Sequence, residues 1–409
     1  MSFQSGLSGL NAAARNLDVI GHNVANSNTV GAKASRAEFA DVYATSLNGG
    51  GGAFSGIGVM VSDVDQQFTQ GDIATSSNPL DMAINGAGFF RLSHEGTMTY
   101  SRNGQFKLDK DGYIVNTQGG RLTGYLADDG GNINAGVPQE LRLNSRDTSP
   151  QATTEATVSM NLDARSTPSV GAFDLDDPTT YQGATSMSVY DQQGRAHTLS
   201  LYFRNTGVNT WDVYAASDGT QLGAGAVSQL TFQPDGRLDA GATTVPVTLA
   251  VPVAGGAGGA SGTLSFDLDL GKATQFGSIY GISELTQDGF TTGRLVGFTM
   301  SEEGVLQARY TNGQTIAQGQ VALATFANPQ GLAPLGGDAW TETATSGQPL
   351  VGAPGSGSLG VVQSGATESS NIDLTAELVN MISAQRAYQA NAQTIKTQDQ
   401  VMQTMVNLR

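Results

Sequence analysis

Three histidines, His22, His94 and His197, are the side chains best suited to ligate a metal or move a proton near neutral pH. None has a second histidine at metal-ligand spacing. His22 falls in a helical pattern and His197 in a strand pattern, so each reads as a satisfied or exposed structural residue. Asp109-Lys-Asp-Gly112 echoes a calcium loop. Aligning Gly112 with that loop's glycine, however, puts Lys107 at the first ligand position and Gln118 where a bidentate glutamate belongs. The Gly49–Gly52 run lacks the following Gly-Lys-Ser/Thr of a phosphate cradle, and no G-x-S-x-G nucleophile turn occurs. Asp128-Asp129 and Asp176-Asp177 lie in turn-like sequence, where solvated carboxylates are the ordinary reading. A glycosidase needs two carboxylates across a cleft, and no pattern points to such a pair. The chain has no cysteine, which excludes thiolate metal sites, disulfides and thiol nucleophiles. The reading is a protein that is not an enzyme, with no catalytic, cofactor-binding or metal-binding residues.

Charge narrows the partners. Lys and Arg total 20 against 36 Asp and Glu, and no basic run exists, so nucleic acid is not an expected partner. No stretch approaches the ~18 apolar residues of a membrane span, so membrane insertion is not expected either. Met1 to Leu10 carries Gln, Ser and Gly where a cleaved signal would place an apolar core, and the first basic residue is Arg15. A cysteine-free chain also suits export into an oxidising exterior. Together these leave two readings, a cytosolic protein or one exported by a route that reads an uncleaved N-terminus.

With function unassigned to any small constellation, the elements themselves become the candidates. From Phe3, residues Leu7, Leu10, Ala14, Leu17, Gly21 and Val24 follow at alternating spacings of four and three, a heptad seam. Asn23, Asn26 and Asn28 then crowd a stretch ending at Gly31, a helix stop. Leu374, Leu378, Met381, Tyr388, Ala392, Ile395, Met402 and Val406 repeat the pattern, with Gln385 and Asp399 as polar interruptions. Ser370 with Asp373 resembles a capping box at the start of this second helix, and Asn371 is a rival cap. At ~1.5 Å per residue the helices measure roughly 35 and 50 Å. One such stripe is the mark of any amphipathic helix. Two of them, bracketing a glycine-rich middle, predict that the chain's ends pair with each other and with those of other copies.

The middle, in a chain with 54 glycines among 409 residues and only 14% charged residues, reads as β throughout. Thr198 to Arg204 alternates Leu199, Leu201 and Phe203, and Trp211 and Val213 follow the turn-rich Asn205 to Asn209. A strand, an acidic-Gly turn and a second strand recur at Phe106–Ile114, Phe232–Leu238 and Phe298–Leu306. Turn-rich stretches at Asn48–Gly58, Thr148–Thr154, Pro246–Gly262 and Thr341–Gly360 mark boundaries. The predicted fold class is multidomain α+β: long terminal helices pairing as a coiled-coil-like core, with two largely antiparallel β domains inserted between them. The division is 1–25 plus 371–409 as the helical core, 26–70 plus 363–370 as a connector, 71–147 plus 286–362 as an inner β domain, and 148–285 as an outer one.

The termini also resemble a known family. Ser2-Phe-Gln-Ser-Gly-Leu-Ser-Gly-Leu-Asn-Ala-Ala-Ala-Arg-Asn-Leu-Asp-Val-Ile-Gly21 and Asn23-Val-Ala25-Asn26-Ser-Asn-Thr29, followed by Gly31, are similar to the start of flagellar rod, hook and hook-associated axial proteins. Asp81-Met-Ala-Ile-Asn-Gly86-Ala-Gly88-Phe89-Phe90-Arg91 and Tyr100-Ser-Arg102-Asn-Gly104-Gln-Phe-Lys-Leu-Asp109 resemble the family's inner β signature. The end, Ser370-Asn-Ile-Asp-Leu-Thr-Ala-Glu-Leu-Val-Asn-Met-Ile382 and Gln393-Thr-Ile-Lys-Thr-Gln-Asp-Gln-Val401, is similar again. The likeness covers both termini and most of residues 70–126, and is loose over 148–285. One departure is Ala32, where the family usually has an aromatic. Length points to the hook members rather than the shorter distal rod subunits, which are the runner-up. A secreted β-rich adhesin or carbohydrate-binding oligomer is the rival from another class, and would form discrete particles rather than tubes.

The resemblance implies a structural subunit of the bacterial flagellum, at the hook and basal body on the cell exterior. It implies unfolded export through the flagellar type III export apparatus and addition at the distal end beneath the hook cap protein. Terminal helices would stack as the inner wall of a helical homopolymer, a universal joint in motility between rod and filament. The implied partners are further copies of the chain, the distal rod protein, the hook cap protein and the hook–filament junction proteins. Phe3, Leu7, Leu10, Leu17 and Val24 on the first helix, with Leu374, Leu378, Met381, Tyr388, Ile395, Met402 and Val406 on the second, are the expected polymerisation residues.

Overall fold

A computed structural model of the chain describes residues 3–43, 56–128, 130–253 and 262–407. The glycine run Gly49–Gly52, Asp129 and residues 254–261 of the Pro/Gly-rich linker lie outside the described residues. The chain divides into two compact units. The first comprises Met1–Ser145, Gly297–Arg309 and Thr315–Arg409, the second Arg146–Val296 and Tyr310–Gln314. The second unit thus extends past residue 285, because Gln151 bridges Phe290 and Thr148 bridges Gly293 within it.

In the first unit, helix α1 spans Phe3–Asn26 and helix α2 spans Leu374–Asn407. The asparagine-rich stretch does end α1: Thr29 N donates to Asn26 O at 3.0 Å, and the chain turns away towards Gly31. The capping box at Ser370 does not form. Asp373 caps α2 itself, its Oδ1 accepting from Thr375 N at 2.8 Å and Ala376 N at 3.1 Å. Asn371 is not a cap either, since its side chain is engaged with residues 34, 67 and 69. The geometric reason is position, because Asp373 directly precedes the first helical residue.

Two strands follow α1: β1, Ser35–Tyr43, pairs antiparallel with β2, Gly56–Gln66, and Ser8 Oγ at 3.3 Å from Val59 N ties this hairpin to α1. The rest of the first unit is sheet. Phe89–His94 pairs with Thr97–Ser101 and Arg121–Leu126, around a core of Met82, Ile84, Phe90, Leu92, Phe106, Ile114, Leu122 and Leu323. The returning chain lies beside the outgoing one. Val361–Ser364 pairs with Met82–Asn85, and Ala366–Glu368 with Ile73–Thr75. That return brings the start of α2 to the end of α1.

The second unit is a sandwich. Glu155–Asp163, Val247–Val253 and Gly262–Asp269 form one sheet, and Gly183–Tyr190, Ala196–Gly207 and Thr210–Ser217 another. Leu199, Leu201, Phe203, Trp211 and Val213 meet Val158, Leu162, Leu249 and Phe266 in one shared core. The alternation of Leu199, Leu201 and Phe203 is the period-two signature of a strand with one buried face. The three repeated hairpins turn on Gly112, Gly236 and Gly304, at φ 85°, 84° and 72°. A Cβ disfavours that left-handed backbone, which is why glycine closes each turn.

Candidate assembly site

α1 and α2 lie antiparallel. A Cβ on Gly6 would sit 3.2 Å from Ile395 Cγ1, one on Gly9 2.9 Å from Asn391 Oδ1, and Asn23 Nδ2 donates to Glu377 Oε1 at 3.4 Å. The small residues are what let the two backbones approach. Asn16 and Ile20 on α1, and Asn380, Ser383, Ala384 and Ala387 on α2, line a groove closer to the β1 end. The contact lines therefore run through 6, 9, 16, 20 and 23 on α1 and through 377, 380, 384, 387, 391 and 394 on α2. Both keep the spacing of three and four expected of a supercoiled pair.

The seams expected from the sequence run one residue further along on each helix, a turn of about 100°. Because the helices are antiparallel, that same offset swings both seams to one side of the pair. There Leu10, Leu17, Val24 and Met381 are half-buried. Leu7 is 44% exposed and Leu378 46%, while Leu374, Tyr388, Met402 and Val406 are also exposed. Ile395 of the seam touches α1, against Gly6. The side chain of Phe3 lies outside the described residues. The pair thus carries an apolar face, interrupted by Gln385 and Asp399, that stays largely exposed in one chain.

The base of the pair is held by buried charge. Glu368 Oε1 accepts from Lys33 Nζ at 2.6 Å and its Oε2 from Arg102 Nη1 at 3.0 Å, with the Lys33 and Glu368 side chains fully buried. Lys33 Nζ also donates to Thr69 O at 2.7 Å, Gly71 N to Glu368 Oε1 at 2.9 Å, and Arg102 Nη2 to Gly86 O at 2.9 Å. Burial pulls the Lys33 ammonium and the Arg102 guanidinium below their ordinary pKa ranges, and Glu368 opposes both shifts. Asn23 and Asn371 complete the junction. The buried Asn23 side chain accepts from Ser35 N at 2.9 Å and donates to Ser35 O at 2.8 Å. Asn371 Oδ1 accepts from Ala34 N at 2.8 Å while its Nδ2 donates to Gln67 O at 2.7 Å.

Several residues singled out by the sequence meet here. Gly31 N donates to Glu368 O at 2.8 Å, and Gly104 O accepts from Met82 N at 2.9 Å. Phe89 stands 5.4 Å from Arg102 Cζ, while its neighbour Phe90 points into the opposite core beside Phe106. Gly88 is buried next to Leu359. Asn26 and Thr29 only shape the turn after α1, and Ala25 is exposed. Ala32 is buried. Sequence reasoning missed Glu368 and the anchoring role of Asn371. The one available signal was an acid in an otherwise uncharged return strand, which local pattern cannot pair with Lys33. Elsewhere, His197 Nδ1 lies 2.8 Å from Asp218 Oδ2, while its buried Nε2, 3.5 Å from Asp191 Oδ2, makes no hydrogen bond among the described residues. Among the described residues no group of three or more His, Asp or Glu is placed to hold a metal, and no helix is long and apolar enough to cross a membrane.

Comparison with known proteins places these elements in a family. Four family models match: Flagella basal body rod protein over residues 3–33, Flagellar hook protein FlgE/F/G D1 domain over 83–161, Flagellar basal body protein FlaE D2 domain over 161–290, and Flagellar basal body rod FlgEFG protein C-terminal over 363–408. The flagellar hook protein FlgE of Escherichia coli strain K12 is 42% identical, with both chains covered in full. That of Borreliella burgdorferi is 32% identical, with 100% of this chain and 99% of that one covered. The crystal structure of Helicobacter pylori flagellar hook protein FlgE2 shares the fold, with a TM-score of 0.53 at 14% identity over 71% of this chain and 99% of that one.

Proposed function

The chain belongs to the flagellar hook protein FlgE family, and from that premise we propose that it is a structural subunit of the bacterial flagellar hook, polymerising into a tube through its terminal helices. The single observation that carries the mechanism is the apolar face shared by α1 and α2. Burying one leucine contributes about 1.5–3 kcal/mol, and the exposed Leu7, Leu378 and Met402 leave that contribution unrealised in one chain. An isolated pair of helices joined through glycine, alanine and asparagine is marginal. Copies that pack their apolar faces together complete the coiled-coil-like core, so helix order and assembly are coupled.

The same reading gives each part of the four-part division a role. Residues 1–25 with 371–409 form the wall, 26–70 with 363–370 the connector, and the two β regions the outer layers. The chain reaches the cell exterior through the type III export apparatus and adds beneath the hook cap protein. The distal rod protein and the hook–filament junction proteins bound the finished hook. Assembly, not catalysis, is the activity. Electron microscopy of the purified protein at rising concentration tests this. Open-ended tubes of uniform diameter are expected, and a discrete oligomer that never elongates would overturn it in favour of an adhesin-like particle.

A further inference from the structure

We propose that the free end of α2 docks head-to-tail into the groove at the base of the helix pair of a second copy of this chain. The inference rests on the polymer reading above and names which two surfaces meet along the polymer.

The contact line of α2 changes character along its length. Where it faces α1 it is small or polar, through Glu377, Asn380, Ala384, Asn391 and Thr394. The first described turn of α1 is already opposite Thr394 and Ile395, at Gly6. Continued at the same spacing, the line on α2 reaches Gln398, Val401 and Met405. Val401 is 49% and Met405 57% exposed, and Met402 and Val406 beside them are 54% and 71% exposed. The line turns apolar where the described part of α1 no longer faces it. A helix end of this kind, about 15 Å long, is built for burial against something other than its own α1.

A receptor of matching character lies at the other end of the pair. The groove between α1, β1 and α2 has a volume of about 710 Å³ and presents Val19, Ile20, Ala37, Phe39, Ala384 and Ala387. Phe39 is 42% exposed on it. Arg36 also lines the groove, forms no ion pair among the described residues, and complements Asp399 on the free end. A helix end and a groove at opposite ends of one element make a heterologous contact. Made with a different neighbour at each end, such a contact repeats from one copy to the next, as an open polymer requires. A two-fold dimer would instead exchange both contacts within one pair of copies, and cross-linking would then stop at the dimer.

The absence of cysteine makes the test clean. Ser383→Cys lies in the groove and Val406→Cys on the free end, separated within one helix by about 35 Å, far beyond disulfide reach. Any bond between them therefore joins two chains. Oxidation of assembled tubes should give a ladder of dimers, trimers and longer species on a denaturing gel, with each single variant remaining monomeric. Tubes whose double-variant chains stay monomeric would overturn the proposal. So would a Val406→Cys thiol that links to Leu17→Cys on the apolar face rather than to Ser383→Cys in the groove. If the double variant does not assemble, tubes of Val406→Cys alone are labelled with a maleimide. At least tenfold slower labelling than in the monomer is expected, and monomer-like labelling overturns the docking. Failure of the unaltered protein to form tubes is a separate result, against the polymer reading itself.

Discussion

Lys33 Nζ and Glu368 Oε1 lie 2.6 Å apart although 335 residues separate them in the chain. Glu368 is the single anion between two buried cations, Lys33 and Arg102, and it also accepts from Gly71 N. This cluster joins the segment leaving α1, the loop after Thr97–Ser101 and the strand leading to α2. A buried pair is weak evidence of net stabilisation, because desolvating the charges offsets their attraction. Its position is more telling: it fixes where α1 ends and where α2 starts, and so sets their register.

Glu368→Gln is therefore expected to destabilise the first unit by about 3–5 kcal/mol, the effect of stranding buried charge. Lys33→Met should be milder, since Glu368 keeps Arg102 and a desolvated ammonium is removed. Urea denaturation, followed separately for the two units by Trp340 and Trp211 fluorescence, measures both. Equal losses for the two variants would contradict the idea that Glu368 is the hub.

Leu10→Asp and Leu378→Asp place a carboxylate on the apolar face without touching either β core. The monomer should keep its β unfolding transitions, because Leu378 is exposed and Leu10 half-buried in one chain. Assembly should fail, since an unpaired carboxylate costs several kcal/mol to bury and the loss recurs at every copy. In cells, either variant should be exported yet give no hooks and no swimming. Normal motility with Leu10→Asp would refute the role of that face.

Two tyrosines set an alkaline limit. Burial, reinforced by the Glu342 carboxylate that accepts its hydroxyl at 3.0 Å, pushes Tyr100 from the ordinary 10.0 up to about 12. Burial also pushes Tyr280 up to about 12, where its hydroxyl donates to Ala184 O at 3.1 Å. Between these values the unfolded chain has released protons that the folded one retains, so stability must fall as pH rises. It should be intact below pH 10.0 and decline towards about 12. Tyr100→Phe should flatten that decline in the first unit and Tyr280→Phe in the second, as read from urea midpoints across the range. An unchanged slope in both variants would assign the alkaline loss to other groups.

What local pattern determines was legible in the sequence. Heptad spacing gave both helices, period two gave the Leu199–Phe203 strand, and acidic-Gly turns gave three hairpins. The contact line between α1 and α2 was not legible, because hydrophobic spacing selects the large residues while close packing uses the small ones one step away. Gly6 and Gly9 carry no hydrophobic signal, yet they are where the backbones meet. The Lys33–Glu368–Arg102 cluster was hidden for another reason. Its members are set by how the return strand Ala366–Glu368 pairs with Ile73–Thr75, a non-local choice that no window of sequence contains.

Most of the second unit, residues 148–293, should be removable without loss of the tube. Its entry and exit adjoin: Thr148 N donates to Gly293 O at 2.9 Å, and Gly293 N to Thr148 Oγ1 at 2.9 Å. A unit whose chain ends meet can be excised without unthreading its host. Replacing residues 148–293 by a short Gly/Ser linker leaves the helix pair, the Glu368 cluster and the Met82–Phe90 core as they are. The deletion, expressed in a strain lacking its own hook protein, is expected to be exported and to form tubes. Curvature should change, because contacts between neighbouring second units can no longer favour one helical form. Basal bodies imaged by electron microscopy should carry straight or irregular hooks, and swimming should be poor. Secreted, folded protein that forms no tube at all would show that the second unit drives assembly rather than shaping it.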